Sequence, residues 1–239
     1  MNVNLTPKPI NFKFGEYINK GFELLKKDFG GVFVGFLVTF LMSIIPFCGL
    51  LAMGNFYQYL RKLNKNQNPS AGEIFDFKDF MSYFTLQLII IGGVIVLYIP
   101  FIIFGGLAGA TADANGEVSP FFAILMFPYM FVMLFAIYYF LLKGFYILPL
   151  ISFKGITDIK TAWNISKVMS KGNLLNIFLF SLVVSILAQI GIIACGIGLF
   201  LTIPFAYTAT LHLKMLFNKL NTTKLPKSVS QKNIKIKII

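Results

Sequence analysis

The chain of 239 residues is 57% hydrophobic and only 13% charged, whereas an ordinary soluble domain carries about 25% charged residues. Its mean hydropathy is +0.78, and its apolar residues occur in long runs. This composition excludes a secreted globular domain, a disordered chain and a soluble nucleic-acid-binding protein, and it predicts an all-α polytopic membrane protein. We attribute the net charge of +12 to basic cytoplasmic loops.

Two segments have the pattern of amphipathic helices that lie in a membrane interface. In residues 1–30, apolar side chains such as Tyr17 and Phe22 recur at helical spacing, and basic ones such as Lys20 lie on the other side. Residues 157–171 repeat the pattern around Trp163. We therefore expect two interfacial helices, the first of them cytoplasmic.

The longest apolar runs predict six transmembrane helices within a membrane domain of residues 31–217. Loops rich in Gly, Pro and polar residues separate most of them, and a basic tail of residues 218–239 follows. The predicted spans are about 31–47, 48–62, 82–108, 120–142, 173–193 and 197–216.

The distribution of charge predicts the orientation. If residues 31–62 form a hairpin, all 21 basic residues fall in cytoplasmic segments or at cytoplasmic ends, and both termini are cytoplasmic. The charged residues left outside are then Asp113 and Glu117. Each arm of this hairpin is only about 20–25 Å long, so the sequence leaves open whether it crosses fully or is re-entrant. Lys143 and Lys214 lie near predicted helix ends, where we expect them to snorkel to the interface.

The first and last thirds of the chain share a weak pattern. Each has an amphipathic helix, an apolar segment, a Cys-Gly pair, a second apolar segment and a Lys-Leu-Asn triplet, at Cys48 and Lys62 and again at Cys195 and Lys219. Both units begin and end on the same side in the predicted topology. The sequence leaves open whether this pattern is a true duplication; if it is, the internal repeat is parallel.

Several short motifs carry a resemblance to a known family. They are Gly21–Lys27, Ile45–Gly49, Ile156–Ile159, Ala162–Ser166, Gly196–Leu199 and Ile203–Phe205. With these motifs the chain resembles the uncharacterised bacterial six-helix inner-membrane proteins related to the membrane domain found beside some glycerophosphodiester phosphodiesterases, and in particular Flavobacterium-like members. The resemblance implies a six-helix fold in the bacterial inner membrane, and it supplies no catalytic residues.

A few residues are candidates for a site. Ser181, Ser185 and Gln189 recur every four residues, so they predict a polar face that contacts a substrate or partner, or that forms ordinary interhelical hydrogen bonds. Cys48 and Cys195 lie at predicted outer turns, where they either form a disulfide or pack as small apolar groups. The basic tail either contacts anionic lipid headgroups, pairs as a strand with a partner edge or stays solvated; its lysines are Lys224, Lys227, Lys232, Lys235 and Lys237.

The sequence supports one interpretation of function and leaves two alternatives. With two cysteines and one histidine, no metal-binding set can be assembled, so we expect no metal, cofactor or catalytic residue. The favoured interpretation is an accessory or scaffold subunit whose partners are membrane lipids and other membrane subunits, not nucleic acid. The alternatives are a transporter or binder of a lipid-like or apolar molecule, and a lipid-modifying enzyme built on Asp76, Asp79 and Asp158.

Overall fold

The structure is a computed structural model that describes residues 2–5, 13–112, 119–193, 199–221 and 235–238. The chain divides into two compact units. The first unit joins Met1–Phe84 to Leu142–Ile239, and the second comprises Thr85–Leu141. Helices dominate the described parts of both units, which confirms the predicted helical fold class.

The described helices match the predicted helical segments to within about one turn at most ends. In chain order they are α1 (Phe14–Lys27), α2 (Phe29–Ile44), α3 (Gly49–Asn64), a 3-10 turn (Ala71–Phe75), α4 (Phe80–Ala110), α5 (Pro120–Gly144), α6 (Ile147–Lys154), α7 (Ile159–Ser170), α8 (Leu174–Ile193) and α9 (Leu199–Asn221). The agreement follows from the helical periodicity of α1 and α7 and the long apolar runs of the others.

Two short strands pair in parallel: β1 (Asn2–Leu5) and β2 (Lys235–Ile238). Val3 stands opposite Ile236 in the register. The alternating C-terminal sequence therefore forms a strand, and the edge that it joins belongs to the N-terminus of the same chain.

Two sharp bends connect the amphipathic helices to the apolar helices that follow them. The α1–α2 pair bends by 96° at Asp28, whose carboxylate accepts a hydrogen bond of 2.8 Å from the Gly31 amide and so caps α2. The α7–α8 pair also bends by 96°, close to Gly172, which has a left-handed φ of +81°. An amphipathic helix therefore meets an apolar helix at a similar angle in both halves of the chain.

The core of the first unit is built around α3. This helix is buried on several sides, including the sides that carry Leu51, Phe56 and Leu60. On another side of the unit, α1 lies against α9 so closely that a Cβ added to Gly21 would come within 2.6 Å of the Ala209 Cα. The α3 segment, which the sequence predicts as a membrane span, is therefore largely surrounded by protein.

A buried serine of α7 explains why the long apolar segment beginning at Pro120 breaks after Gly144. The Ser166 hydroxyl donates to the Lys143 carbonyl at 2.5 Å and accepts from the Tyr146 amide at 3.2 Å. Ser170 donates to the Leu142 carbonyl at 3.2 Å. These bonds satisfy backbone groups that are left unpaired between α5 and α6.

The second unit is a hairpin of the greater part of α4 and α5. The Tyr129 hydroxyl donates to the Leu97 carbonyl at 2.6 Å, and the Tyr129 ring packs at 5.6 Å from Phe101. Most apolar side chains are nevertheless exposed, such as Ile102 at 69% and Phe135 at 82%. Such a surface is stable in an apolar environment and unfavourable in water.

Within the described chain, two helical stretches are long and apolar enough to cross a membrane, namely α4 (Phe80–Ala110) and the run Pro120–Lys154 that comprises α5 and α6. The number rises to four if each bent pair is counted as one span. These helices indicate a membrane protein.

Candidate functional site

The loop between α3 and α4 lies along α3 and is fixed to it by a buried asparagine. The Asn55 amide donates to the carbonyls of Ile74 at 2.9 Å and Asp76 at 2.7 Å. The Ile74 side chain is fully buried, and Ser70 and Glu73 form a capping box at the start of the 3-10 turn. This short polar segment is therefore well ordered.

A cavity of about 310 Å³ lies between α3 and this loop, and polar side chains line it. They are Asn55, Gln58, Tyr59, Lys62, Glu73 and Asp76. The Lys62 ammonium and the Glu73 carboxylate form an ion pair of 2.5 Å at the rim, where each side chain is nearly half exposed. The Lys62 hydrogen bond lowers the pKa of Glu73 below its ordinary value.

Hydrogen bonds with backbone groups hold two of the lining side chains in place. The Tyr59 hydroxyl donates to the Gly31 carbonyl at 2.9 Å, and this bond ties α3 to the start of α2. The Asp76 carboxylate accepts a hydrogen bond from the Lys78 amide at 2.9 Å through one oxygen. The cavity thus offers one cationic and two anionic groups on a fixed backbone, an arrangement that can bind a small ligand carrying both charges.

The same loop joins the α2–α3 hairpin to the first turns of α4. Its charged side chains Asp76 and Lys78 are exposed, and the loop is bonded to α3 at Asn55 and Lys62. At the other end of α3, the Phe47 ring lies 5.3 Å from the ring of Phe84, which belongs to the first turns of α4. The tip of the α2–α3 hairpin therefore contacts the first turns of α4.

A second cluster surrounds Lys214 of α9. The residue is only 7% exposed, and its ammonium lies over the rings of Tyr57 at 4.2 Å and Phe145 at 4.9 Å. The expectation that Lys214 snorkels to the interface is therefore wrong, because aromatic rings of α3 and of the α5–α6 connection enclose its ammonium. These residues are far apart in the sequence, so the sequence alone does not predict that they form a cluster.

The predicted polar face of α8 lies on an outer side of that helix. Ser181 is partly exposed, whereas Ser185 and Gln189 are exposed. Phe180 and Val184, one residue before each serine, are buried instead. The structure thus places this face where another molecule can reach it, and its role stays a prediction.

The remaining predicted residues are only partly described. Cys48 is buried at the start of α3, but Cys195 lies outside the described residues, so their pairing stays a prediction. Lys235 and Lys237 belong to β2, and Lys224, Lys227 and Lys232 lie outside the described residues. The Asp158 carboxylate caps α7 by accepting from the Thr161 amide at 2.8 Å. Among the described residues, no group of three His, Cys, Asp or Glu side chains is placed to hold a metal ion.

Comparison with protein-family models, with curated proteins and with solved structures finds no match to this chain. The family resemblance drawn from short motifs therefore stays a prediction.

Proposed function

We propose that the protein is a non-catalytic accessory or scaffold subunit of a complex in the bacterial inner membrane. The observation that carries this proposal is the α4–α5 hairpin, whose apolar side chains are exposed on nearly all sides. In the most apolar 18-residue windows of the two candidate spans, 0% and 6% of the residues are buried within the chain. Lipid and the helices of partner subunits are the environments that can cover such a surface.

The glycines of α4 favour a partner helix, and not lipid alone, as the cover for part of this surface. Gly105 and Gly109 are four residues apart, the spacing that lets transmembrane helices approach closely. Apart from the backbone of α4 itself, no atom of the described residues lies within 4 Å of a Cβ placed at either position. Each glycine weakens a helix by roughly 1 kcal/mol relative to alanine, and close packing by a second helix would offset that loss.

The proposal includes a topology in which both termini and the basic tail are cytoplasmic. The six-span count from the sequence is one version of it. The charged loop along α3 supports a second version, in which the α2–α3 hairpin enters the membrane and returns without crossing. The arms of this hairpin have 16 residues each, or about 24 Å, against a hydrocarbon core of about 30 Å. Both versions keep the same segments on the cytoplasmic side, so both satisfy the charge distribution.

Cysteine labelling distinguishes the two versions. In a variant without Cys48 and Cys195, single cysteines replace Ile44 near the hairpin tip, Ser119 after α4 and Lys65 after α3, and intact cells are treated with a membrane-impermeant maleimide. We expect labelling at Ser119→Cys from outside and none at Ile44→Cys or Lys65→Cys. Labelling of Ile44→Cys from outside would establish a full crossing.

Purification of a tagged chain in mild detergent, followed by mass spectrometry, tests the subunit proposal. We expect a stoichiometric membrane partner that is lost when Gly105 and Gly109 are both replaced by leucine. The matched control is Ile95→Leu, which conserves volume at an exposed position of the same helix. Repeated recovery of the wild-type chain without any protein partner would refute the proposal.

The cavity beside α3 favours one alternative, the binding of a lipid-like molecule. Charged and amide side chains account for most of its lining residues, so it fits a headgroup better than an acyl chain. This function is compatible with a subunit role.

A further inference from the structure

We propose that the cavity between α3 and the 3-10 turn is a binding site for a headgroup that carries a phosphate and a primary ammonium, as in phosphatidylethanolamine. The site deepens the lipid-binding alternative above, and it does not depend on a protein partner.

The position of the cavity along the chain places it at a membrane surface. Asp76 and Glu73 precede the first residue of α4 by four and seven residues, and α4 is one of the two longest apolar helices described. Phe75 and Phe77, on either side of Asp76, expose 44% and 50% of their surface. Exposed apolar side chains beside charged groups suit the boundary between headgroups and hydrocarbon, where the apolar side chains enter the membrane and the charged groups stay in water.

The size of the cavity fits a headgroup and not a whole lipid. Its volume of about 310 Å³ is at the lower end of the range of roughly 300–1,000 Å³ for ligand sites. The acyl chains of a bound lipid would therefore lie outside, along exposed apolar side chains such as Phe77 and Met81. This arrangement requires no further cavity in the protein.

The charges of the lining select among headgroups. Lys62 can bind the phosphate, while Glu73 and Asp76 can accept hydrogen bonds from the ammonium. The two carboxylates repel phosphatidylglycerol, whose headgroup has no cation. They also discriminate against phosphatidylcholine, because its trimethylated ammonium has no N–H to donate.

The site can accept such a ligand with little rearrangement. Both side chains of the Lys62–Glu73 ion pair are nearly half exposed, so separating them costs little free energy. Each member of the pair then gains a ligand group of opposite charge. The backbone behind Asp76 is already fixed by Asn55, which reduces the entropy that binding would otherwise lose.

Lipid binding to the full-length chain tests the proposal. The purified protein is titrated with phosphatidylethanolamine, phosphatidylcholine or phosphatidylglycerol in mixed micelles, and bound lipid is counted by native mass spectrometry. We expect phosphatidylethanolamine to bind about tenfold more tightly than phosphatidylcholine, as for one or two charge-assisted hydrogen bonds at a partly exposed site. Soluble phosphoethanolamine is the probe for a free ligand. If it binds as tightly as the lipid, the site takes the same chemistry from a soluble molecule.

Two variants test the residues with little change of shape. Asp76→Asn keeps an oxygen for the Lys78 amide, and Glu73→Gln keeps the capping box. Each should reduce the preference for phosphatidylethanolamine to about twofold or less. Glu23→Gln, the same loss of charge at an exposed position of α1, should leave the preference unchanged.

Equal binding of phosphatidylethanolamine and phosphatidylcholine by the wild-type chain would overturn the proposal, and so would an undiminished preference in both pocket variants. Neither result would alter the recovery of a protein partner from membranes, so the subunit proposal is judged separately.

Discussion

The contact between α1 and α9 yields a prediction in which one substitution has opposite effects at two positions of the same helix. At Gly21, an added Cβ would lie 2.6 Å from the Cα and 2.7 Å from the amide nitrogen of Ala209. At Gly15, in the same helix, an added Cβ would meet no atom of the described residues within 4 Å, apart from the backbone of α1 itself. Gly21→Ala should therefore destabilise the protein, and Gly15→Ala should stabilise it.

The magnitudes follow from the geometry. Ordinary contact begins near 3.4 Å, so α1 must move away from the α9 backbone by about 0.8 Å to admit the methyl group of Gly21→Ala. Overpacking of this kind costs about 1–3 kcal/mol, and the better helix propensity of alanine returns up to about 1 kcal/mol. We expect a net loss of roughly 1–2 kcal/mol for Gly21→Ala and a gain of up to about 1 kcal/mol for Gly15→Ala.

Thermal unfolding of the purified variants in one detergent measures both effects. For a chain of this length, a change of about 1 kcal/mol shifts Tm by roughly 2–4 °C. Gly21→Ala should lower Tm by about 2–8 °C, while Gly15→Ala should raise it by up to about 4 °C. An equal rise in both variants would show that α1 does not approach α9 so closely.

Three further predictions concern polar groups of the first unit. Asn55→Ala leaves the carbonyls of Ile74 and Asp76 unpaired, so it should cost about 1–3 kcal/mol and speed proteolysis of the loop; an unchanged cleavage rate would contradict the anchoring. Ser166→Ala removes two hydrogen bonds at the α5–α6 break and should also cost about 1–3 kcal/mol in thermal unfolding, more than the same change at exposed Ser185. Since the pKa of Glu73 is lowered, its contribution is present above the ordinary value of 4.5 and is lost as the pH falls through the lower folded value. The protection of the loop amides against hydrogen exchange, corrected for the intrinsic exchange rate at each pH, should therefore fall in acid, and Glu73→Gln should weaken that dependence.

The position of the helices could be predicted because it depends on local patterns. The alternation of Tyr17 and Phe22 with Lys20 identifies α1 without any knowledge of what it packs against. The long apolar runs identify α4 and α5 in the same way, and Gly and Pro mark many of the ends. The helical fold class and the membrane character of the protein followed from these signals.

The candidate site could not be predicted in this way, because its parts meet through tertiary contacts. The sequence groups Asp76 with Asp79 and Asp158 as the basis of a lipid-modifying enzyme, but in the structure Asp158 caps α7. The residues that complete the cavity, such as Asn55 and Gln58, lie inside a segment predicted as a membrane span. An amide within an apolar run gives no indication of the loop to which it donates.

The sequence by itself determined that the chain is helical, that it is apolar enough for a membrane and that its basic residues can be placed on one side. Only the tertiary structure decided which apolar segments face outward and which are enclosed by protein. Hydropathy responds to the removal of a side chain from water, and lipid and protein interior satisfy it equally well. An apolar run therefore describes both α4, which is exposed along its apolar length, and α6, whose Ile147, Leu150 and Ile151 side chains are buried in protein.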